Sequence, residues 1–565
     1  MSQPGIGRYL RTVVHLRPGQ IFRRARCEFE RRLGLGAPAR WTASSPPRMA
    51  TDFPALPLPS PADCSTESLR AGVFTHLNES RTIGFYRPDW QLGAVTKGRL
   101  WTVTLHYHRW ALQLAQLAAS DSPHAAEALS LFQHFVREWI ERCPFSDPRA
   151  RPLAWNAFAV ATRISHWTRA CRLLGPERLG SPDFTAAFLK SLWEQAEFLC
   201  RHVEWDLRAN HLLRDAVGLA CAGRFFAEPQ AARWLRCAAS ITAAQVKEQI
   251  LADGGHFERS PMYHAQIMED LRTLRSLLAD PALQASMDDA LQRMTDWLAW
   301  MSHPDGRFAL LNDGAWNGVD VPPPAANSGG RHLADSGIVA WHGRRWTVFF
   351  DVGELGPVYQ PGHGHADTLS VECSVDGHRL FVDPGTYHYD SDKRRAYDRS
   401  TAAHNTVVVD GQDSSEVWDI FRVGRRAHVR NTEAKFGSDF FEACGTHNGY
   451  RHLSDRPTHT RRLRLSPGNQ LLIEDFIGGA GTHSLSGGLL LDPAWSAQGV
   501  ENGWRLAGLG ISLVVTVTAD ANIRLRTESR TVHPEFGAEL PTLRLSWSAD
   551  AALLPARVTT NVELL

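Results

Sequence analysis

Side chains that transfer protons and bind metals are concentrated between Pro361 and Arg426. This segment contains three polar motifs, which are Pro361-Gly362-His363-Gly364-His365-Ala366-Asp367, Val382-Asp383-Pro384-Gly385-Thr386-Tyr387 and Ala403-His404-Asn405-Thr406. The polar residues stand at turns marked by Gly and Pro, where side chains project from a rigid frame. A His-x-His pair followed by one Asp and a later His could supply a three-ligand metal site. A single turn histidine is usually structural, so it is the grouping that indicates function.

Phenols and guanidinium groups lie between these motifs. They are Tyr387, Tyr389, Arg394, Arg395, Tyr397 and Arg399. Such side chains can transfer protons and bind carboxylates. The apolar runs Leu380-Phe381-Val382 and Thr406-Val407-Val408-Val409 predict short buried strands that position the turns.

The composition is that of a globular protein. The chain has 565 residues, of which 43% are hydrophobic and 21% charged, and its formal net charge is +1. This near-neutral balance gives no support for nucleic acid as a partner. The 19 tryptophans permit a carbohydrate cleft, although core packing is their usual role. Eight arginines before residue 33 indicate either a basic surface patch or a solvated amphipathic helix.

Cysteine usage and the N-terminus bear on location. The nine cysteines are scattered singly without a C-x-x-C pair, which favours small buried side chains in a reducing compartment. Arg11, His15 and Arg17 interrupt the apolar residues that a signal peptide requires. No stretch is long enough for an integral membrane segment. We therefore expect a cytoplasmic location by default, with periplasmic or secreted locations by another route left open.

Three regions follow from the patterning. Residues 1–95 predict an N-terminal arm and linker, residues 96–320 a helical domain, and residues 336–565 a β domain. Apolar residues three and four positions apart predict the helices Val103–Ala118, Ala125–Cys143, Leu153–Leu174, Phe184–Cys200, Leu207–Phe226, Ala231–Leu251, Met262–Leu278 and Ala282–Met301. These helices suit an incomplete α/α toroid or an open solenoid. Short alternating runs predict a large antiparallel β-sandwich, and a cleft between two segregated domains is a natural binding site.

Two polar motifs stand out in the helical region. Asn210 and His211 begin an apolar helix, and the plain interpretation of Asn210 is an N-cap. In the second motif, Ser260-Pro261 predicts a helix start that puts Tyr263 in the first turn.

The order of the motifs along the chain resembles that of a known family. The residues that carry the resemblance are Asn210-His211-Leu212-Leu213, Gly254 to Tyr263, Asn312-Asp313-Gly314, His363-Gly364-His365-Ala366-Asp367, Val382-Asp383-Pro384-Gly385-Thr386-Tyr387 and His404-Asn405-Thr406-Val407. They are similar to the motifs of heparinase II/III-like polysaccharide lyases, a group that includes alginate lyases. The resemblance extends from about residue 95 to the C-terminus and implies a helical toroid followed by a β-sandwich.

The resemblance implies β-elimination at a uronic acid of an acidic polysaccharide. A base removes the C5 proton, the C4–O bond breaks, and a 4,5-unsaturated sugar results. In the family pattern, Asn210 and His211 neutralise the carboxylate, while Tyr263 and His363 act as the base and the acid, with the assignment open. Tyr389, Tyr397 and Arg399 are expected to contact substrate. A tyrosine base would need nearby positive charge, which Arg394, Arg395 or Arg399 could supply.

The resemblance also implies a structural divalent metal, usually zinc, bound by His365, Asp383 and His404. One departure is Arg214, with Asp215 beside it, where some relatives carry an acidic residue. Two other functions are left open. One is a non-catalytic polysaccharide-binding or exopolysaccharide assembly factor, and the other is a metal-dependent glycan hydrolase. The sequence does not identify the polymer, endo or exo action, or the oligomeric state.

Overall fold

The computed structural model describes residues 5–33, 35–59, 65–92, 98–319, 324–325, 327–466 and 470–565. Parts of the predicted N-terminal arm and linker, residues 1–4, 34, 60–64 and 93–95, lie outside the described residues. The chain forms two compact units. The helical unit comprises Arg17–Glu248 and Ile267–Leu291, and the sheet unit comprises Met1–Leu16, Gln249–Gln266 and Gln292–Leu565.

The helices agree closely with the predicted ones. They are α1 (Ile6–Val13), α2 (Pro18–Arg32), α3 (Thr66–Arg70), α4 (Arg99–Leu105), α5 (Arg109–Ala118), α6 (Ala125–Arg142), α7 (Ala157–Leu174), α8 (Pro182–Arg201), α9 (Asn210–Phe225), α10 (Gln230–Gln249), α11 (Pro261–Leu277), α12 (Pro281–Trp300) and α13 (Lys393–Asp398). Among the described residues, none of these helices is both long and apolar enough to cross a lipid bilayer.

The helical unit is an incomplete α/α toroid. Its central helix α7 contacts α5, α8 and α9, and its buried residues extend around most of its circumference. Polar caps fix the helix starts, because Asn156 and Ser181 accept hydrogen bonds from backbone N–H groups in the first turns of α7 and α8. The predicted helix Val103–Ala118 is instead the pair α4 and α5. The helix is interrupted at His108, where φ is 57°.

The sheet unit is built from antiparallel strands. The strands of the chain are β1 (Val73–His76) and β2 (Glu79–Thr82) in the helical unit, then β3 (Gly329–Leu333), β4 (Ile338–His342), β5 (Trp346–Asp351), β6 (Val371–Val375), β7 (His378–Phe381), β8 (Val407–Val409), β9 (Val417–Trp418), β10 (Arg422–Val423), β11 (Val429–Phe436), β12 (Phe441–His447), β13 (Thr458–Ser466), β14 (Gln470–Gly478), β15 (Thr482–Leu490), β16 (Ser496–Val500), β17 (Gly503–Gly508), β18 (Ile511–Ala519), β19 (Arg524–Val532), β20 (Leu540–Leu553) and β21 (Ala556–Leu564).

These strands form a β-sandwich with three main sheets. A five-stranded sheet has the order β3-β4-β5-β6-β7, an eight-stranded sheet the order β11-β12-β13-β14-β21-β18-β17-β16, and a four-stranded sheet the order β19-β20-β15-β8. Side chains from all three sheets share one core, exemplified by Phe350, Ile473 and Trp547. Alternation of buried and exposed residues along β12 and β14 assigns one face of each strand to that core.

The unit boundaries differ from the predicted domains. Residues 249–266 and 292–320 were expected in the helical domain, but they pack with the sandwich. The end of α12 explains part of this, because Trp297, Trp300 and Met301 share a core with Ile338 and Phe349. The sheet unit therefore contains both the loop before α11 and the turns after β5 and β7, which are the segments that carry the candidate site.

Candidate active site and metal group

The loop before α11 holds two functional side chains in place. Gly254 has φ +92°, and a Cβ there would lie 2.3 Å from the Arg293 carbonyl oxygen. Ser260 then caps α11, because its Oγ accepts a hydrogen bond from the Tyr263 N–H at 3.2 Å and donates one to the Asp313 carbonyl at 2.6 Å. The predicted helix start is confirmed, and it fixes Tyr263 in the first turn.

Tyr263 and His363 form the centre of the site. Their rings are stacked, with centroids 3.8 Å apart and planes 11° from parallel. The Tyr263 hydroxyl lies 3.0 Å from the hydroxyl of Tyr389. On the other ring, Nδ1 of His363 is hydrogen-bonded to the Glu258 carboxylate. Two phenols, an imidazole and a carboxylate therefore lie together within the sheet unit.

Charge near the phenols does not favour a resting phenolate. Burial raises the pKa of Tyr263 well above its usual value, and the nearby Asp313 raises it further. Arg395 opposes this shift, but its positive charge is largely balanced, because its guanidinium makes a buried bidentate pair with Asp313. The same two effects, burial and Asp313, raise the pKa of Tyr389. Arg395 does lower the pKa of Tyr263, as expected for an arginine. The larger effects of burial and Asp313 nevertheless leave this pKa above its usual value.

The predicted metal ligands converge. One donor atom each from His365, Asp383 and His404 lies within 4.8 Å of the others, and all three side chains are buried. Nδ1 of His365 is 3.2 Å from Nε2 of His404, which is 3.5 Å from Oδ2 of Asp383. This His/Asp/His group could hold a metal ion.

Hydrogen bonds at the outer atoms orient these ligands for a cation. His404 Nδ1 lies 2.7 Å from the Ser400 carbonyl, and His365 Nε2 lies 2.9 Å from Asp313 Oδ1. Each ring donates to these acceptors, so the nitrogens that face each other carry lone pairs. Burial lowers the pKa of both imidazoles, which keeps them neutral. Oδ2 of Asp383 accepts no hydrogen bond within the described part of the chain. Two facing lone pairs and an unsatisfied carboxylate oxygen fit a divalent cation.

Asp313 connects the two halves of the site. Its Oδ1 accepts a hydrogen bond from His365, and its Oδ2 accepts one from Arg395 Nη2 at 2.9 Å. Burial alone would raise the pKa of Asp313, but the Arg395 charge and the His365 hydrogen bond lower it below its usual range. The Arg395 guanidinium also lies 4.9 Å from the Tyr389 ring centroid. The metal group and the phenol pair are thus joined through one ion pair.

The three residues predicted to contact substrate have different surroundings. Arg399 is buried and donates to the carbonyl groups of Gly364, Trp418, Asp419 and Arg422. It holds the loop that carries His363 through its hydrogen bonds to the Gly364 carbonyl, and a substrate contact for Arg399 stays a prediction. Tyr397 lies beside Arg530, whose guanidinium is 5.8 Å from its ring centroid. Tyr389 is the member of the predicted set that contacts the Tyr263–His363 pair.

Asn210 and His211 belong to the helical unit. Helix α9 starts at Asn210 itself, and its N-cap is Ala209, so the interpretation of Asn210 as a cap is wrong. Arg208 and Ala209 both have positive φ, 64° and 51°, a backbone conformation that costs free energy for non-glycine residues. His211 Nδ1 is 3.0 Å from Glu204 Oε2. Strain immediately before two polar residues is typical of a functional site.

Arg214 forms an ion pair within the helical unit. Its Nη2 lies 3.0 Å from Asp270 Oδ1, and both side chains are largely buried. Asp215 Oδ2 accepts a hydrogen bond from the Glu204 N–H at 2.8 Å. The departure noted in the sequence therefore produces a buried ion pair that holds α9.

Sequence reasoning missed the roles of Glu258 and Asp313. Both stood inside quoted motifs, yet neither was singled out as a site residue. Each is a carboxylate close to Gly in a polar turn, a pattern that usually indicates turn formation. For Glu258, the available signal was its position in the motif that also carries Tyr263. For Asp313, it was its position in a motif directly before the change in composition.

Two family profiles match most of the chain. The one described as "Heparinase II/III N-terminus" matches residues 74–321, and the one described as "Heparinase II/III-like, C-terminal" matches residues 325–562. The chain belongs to the heparinase II/III-like family. The division between the two matches also lies close to the predicted domain boundary.

Individual relatives of this heparinase II/III-like chain are distant. A heparin-sulfate lyase from Bacteroides stercoris is 23% identical over 426 residues, which cover 63% of this chain and 61% of that protein. FtsZ-localized protein C from Caulobacter vibrioides is 25% identical over 389 residues, covering 65% and 63%. The crystal structure of heparinase III has a TM-score of 0.68 at 16% identity and covers 82% of this chain and 77% of that one. The chain thus spans about three fifths of these curated relatives, and the structural likeness establishes the shared fold.

Proposed function

We propose that the protein is a polysaccharide lyase that cleaves a uronic-acid-containing polysaccharide by β-elimination. The observation that carries the proposal is the stacked Tyr263–His363 pair, with Glu258 on the imidazole and Tyr389 on the phenol. A proton acceptor and a proton donor stand side by side, as elimination requires. The heparin-sulfate lyase from Bacteroides stercoris supports the same reaction class.

His363 is proposed as the base. The Glu258 carboxylate engages Nδ1, so a neutral imidazole carries its proton there and its lone pair on Nε2. The side chain retains 12% exposure, which leaves part of the ring accessible. Nε2 would remove the C5 proton, and Glu258 would stabilise the imidazolium that forms.

Tyr263 is proposed as the acid. Burial and Asp313 raise the pKa of its hydroxyl, so it remains protonated at neutral pH. It would donate that proton to the leaving O4 atom as the C4–O bond breaks. Tyr389, 3.0 Å away, would orient the hydroxyl and help return a proton for the next turnover.

Carboxylate neutralisation is the remaining requirement, because loss of the C5 proton places a second negative charge beside an anionic group. We propose Asn210 and His211 for this role. An amide and an imidazole both donate hydrogen bonds, and the strained turn at Arg208 and Ala209 holds the helix start in a defined conformation. Their substitution should weaken substrate binding and turnover together.

We propose that His365, Asp383 and His404 bind zinc in a structural role. Imidazole and carboxylate donors suit zinc, and the ion would fix the turns on which the His363 loop depends. The group is fully buried and Asp313 holds its His365 ring, which favours this role over that of a hydrolytic metal centre open to substrate.

A second candidate is a non-catalytic polysaccharide-binding or assembly factor. The observation that favours it is that one relative, FtsZ-localized protein C at 25% identity, is named for its localization and not for a lyase activity. The two candidates make different predictions for product formation, since only elimination generates a conjugated unsaturated acid.

The deciding experiment screens the purified protein against heparan sulfate, alginate, hyaluronan and bacterial exopolysaccharides containing uronic acid. Elimination would appear as new ultraviolet absorbance and as a 4,5-unsaturated terminus by mass spectrometry. Binding without absorbance, unchanged by Tyr263→Phe and His363→Ala, would support the assembly factor. Reducing ends formed without absorbance would indicate hydrolysis and contradict the lyase.

A further inference from the structure

Helix α1 is oriented with its polar side toward the protein. Arg8 Nε and Arg11 Nη2 lie 3.2 and 2.7 Å from the Glu416 carboxylate. Trp418 Nε1 donates to Thr12 Oγ1 at 3.1 Å. Charged and hydroxyl side chains therefore attach this helix to the sheet unit.

The opposite side of α1 is apolar and exposed. Ile6, Leu10 and Val13 are separated by four and three residues, so they share one face of the helix, and Val14 follows directly. Ile6 is 81% exposed, Leu10 65% and Val14 74%. A helix at the surface of a globular protein normally turns this face inward. The arrangement in α1 is the reverse, which indicates that another apolar phase covers the face.

Helix α2 repeats the pattern within the helical unit. Its buried polar residue is Gln20, whose Nε2 donates to the Asp206 carbonyl at 3.1 Å. Phe22 and Phe29 are seven residues apart and share one face of α2, and they are 72% and 59% exposed. Leu33, directly after the helix, is 58% exposed. Two exposed phenylalanines on one helix exceed the scattered apolar residues of an ordinary surface.

The segment that contains α1 and α2 has an excess of positive charge. The first 35 residues contain eight arginines and two glutamates, a formal charge of +6, in a chain whose total is +1. Several of these arginines are ion-paired yet remain exposed, as Arg11 and Arg26 do. Excess charge of one sign beside exposed apolar residues is complementary to a surface that is both anionic and apolar.

We propose that α1 and α2 bind the surface of an anionic phospholipid membrane. Their exposed apolar side chains would enter the boundary between headgroups and acyl chains, while exposed arginines such as Arg26 of α2 contact lipid phosphates. A second copy of the chain is the weaker occupant, because a symmetric contact would bring two +6 segments together. The inference concerns surface binding and is independent of the proposed catalytic function.

The test is cosedimentation of the full chain with vesicles. One preparation is pure phosphatidylcholine, and the other contains about one third phosphatidylglycerol. We expect at least about tenfold tighter binding to the anionic vesicles, and loss of most of that binding in high salt. The variant Leu10→Asp/Phe22→Asp/Phe29→Asp should lose the binding, and Leu10→Ser or Phe29→Ser alone should lose part of it.

A matched control is Leu509→Asp. Leu509 is also exposed, at 51%, and lies in the turn between β17 and β18 with φ 54°, which Asp tolerates. This variant should bind vesicles as the unsubstituted protein does. Circular dichroism establishes that every variant is folded.

Three results would overturn the proposal. They are absence of binding to anionic vesicles, equal binding to both vesicle types, and equal loss in the Leu509→Asp control. Light scattering adds a fourth test. A concentration-dependent dimer that the triple variant abolishes, without vesicle binding, would assign the apolar faces to a second copy of the chain.

Discussion

The Arg395 guanidinium and the Asp313 carboxylate form a fully buried pair, with Nη2 2.9 Å from Oδ2. Asp313 also accepts the hydrogen bond of His365, so one carboxylate serves both the metal group and the phenol pair. Removal of this charge should therefore affect stability and activity together.

Asp313→Asn should destabilise the sheet unit by about 3–5 kcal/mol, because it leaves the Arg395 charge buried without its partner. Denaturant unfolding measures the loss. The matched control is Asp376→Asn, which removes the partner of Arg345 in a partly exposed pair and should cost about 0–1 kcal/mol. Equal effects of the two variants would contradict a special role for Asp313.

Tyr263→Phe should lower turnover by about 10²–10⁴-fold while thermal unfolding changes little, because it removes a proton donor and retains the stacked ring. The control is Tyr397→Phe, whose ring lies beside Arg530 and should be dispensable for turnover. Exchange of the C5 proton with deuterated solvent distinguishes the roles. It should persist in Tyr263→Phe and be lost in His363→Ala. Persistence in His363→Ala would reassign the base.

Glu258→Gln should lower turnover by roughly tenfold to a hundredfold, since the partner of a working imidazole sets its tautomer and orientation. Added imidazole should restore part of the activity of His363→Ala in the presence of Glu258. Glu354→Gln is the control, because Glu354 pairs with the exposed His428. If Glu258→Gln behaved like that control, the dyad would have no catalytic function.

Metal removal should lower the unfolding temperature of the protein. A chelator should do this to the unsubstituted chain and leave His404→Ala unchanged, because that variant already lacks a ligand. Mass spectrometry of the intact protein and elemental analysis identify the ion. Complete loss of activity on chelation, without any loss of stability, would contradict the structural role of the metal.

Acid should release α1. Burial would raise the pKa of Glu416, but hydrogen bonds from Arg11 and the Arg425 N–H lower it to about 2, below its usual 4.5. A depressed carboxyl pKa contributes stability above about pH 4.5, and this contribution is lost as the pH falls toward 2. Arg8 and Arg425 also face the carboxylate.

Hydrogen exchange of residues 6–13, corrected for intrinsic rates, measures this release. Protection should fall between about pH 4.5 and 2. Glu416→Gln should show reduced protection already at neutral pH and no further change in acid. A pH response that survives in Glu416→Gln would assign the attachment of α1 to other contacts.

Periodicity in the sequence predicted most of the elements, because helix and strand burial follow local spacing. The exceptions have a physical cause. The break at His108 carries no Gly or Pro, and it is fixed by tertiary contacts such as the hydrogen bond that Trp167 donates to His108. The assignment of residues 249–266 to the sheet unit likewise depends on long-range packing, which local spacing does not encode.

The candidate site was predictable where motifs report residue type, as for His365, Asp383 and His404. It was not predictable where the function of a residue depends on which groups its side chain contacts. Arg395 lies on one short helix and Arg399 directly follows that helix. Arg399 donates to backbone carbonyls, whereas Arg395 donates to the Asp313 carboxylate as well as to the Ile420 carbonyl. The sequence identifies the hydrogen-bond donor, but its acceptor is known only from the folded structure.

Because the segments of the two units alternate along the chain, a gene fragment that encodes one unit alone is hard to define. Residues 249–266, which carry Glu258 and Tyr263, precede residues 267–291 in the sequence. They nevertheless pack with the β-sandwich that follows. No single cut separates both units whole, and a gene fragment beginning near residue 320 would yield strands that lack Glu258 and Tyr263. Exchange of a C-terminal module alone would therefore leave out part of the candidate site, because Glu258 and Tyr263 come from an earlier segment of the chain.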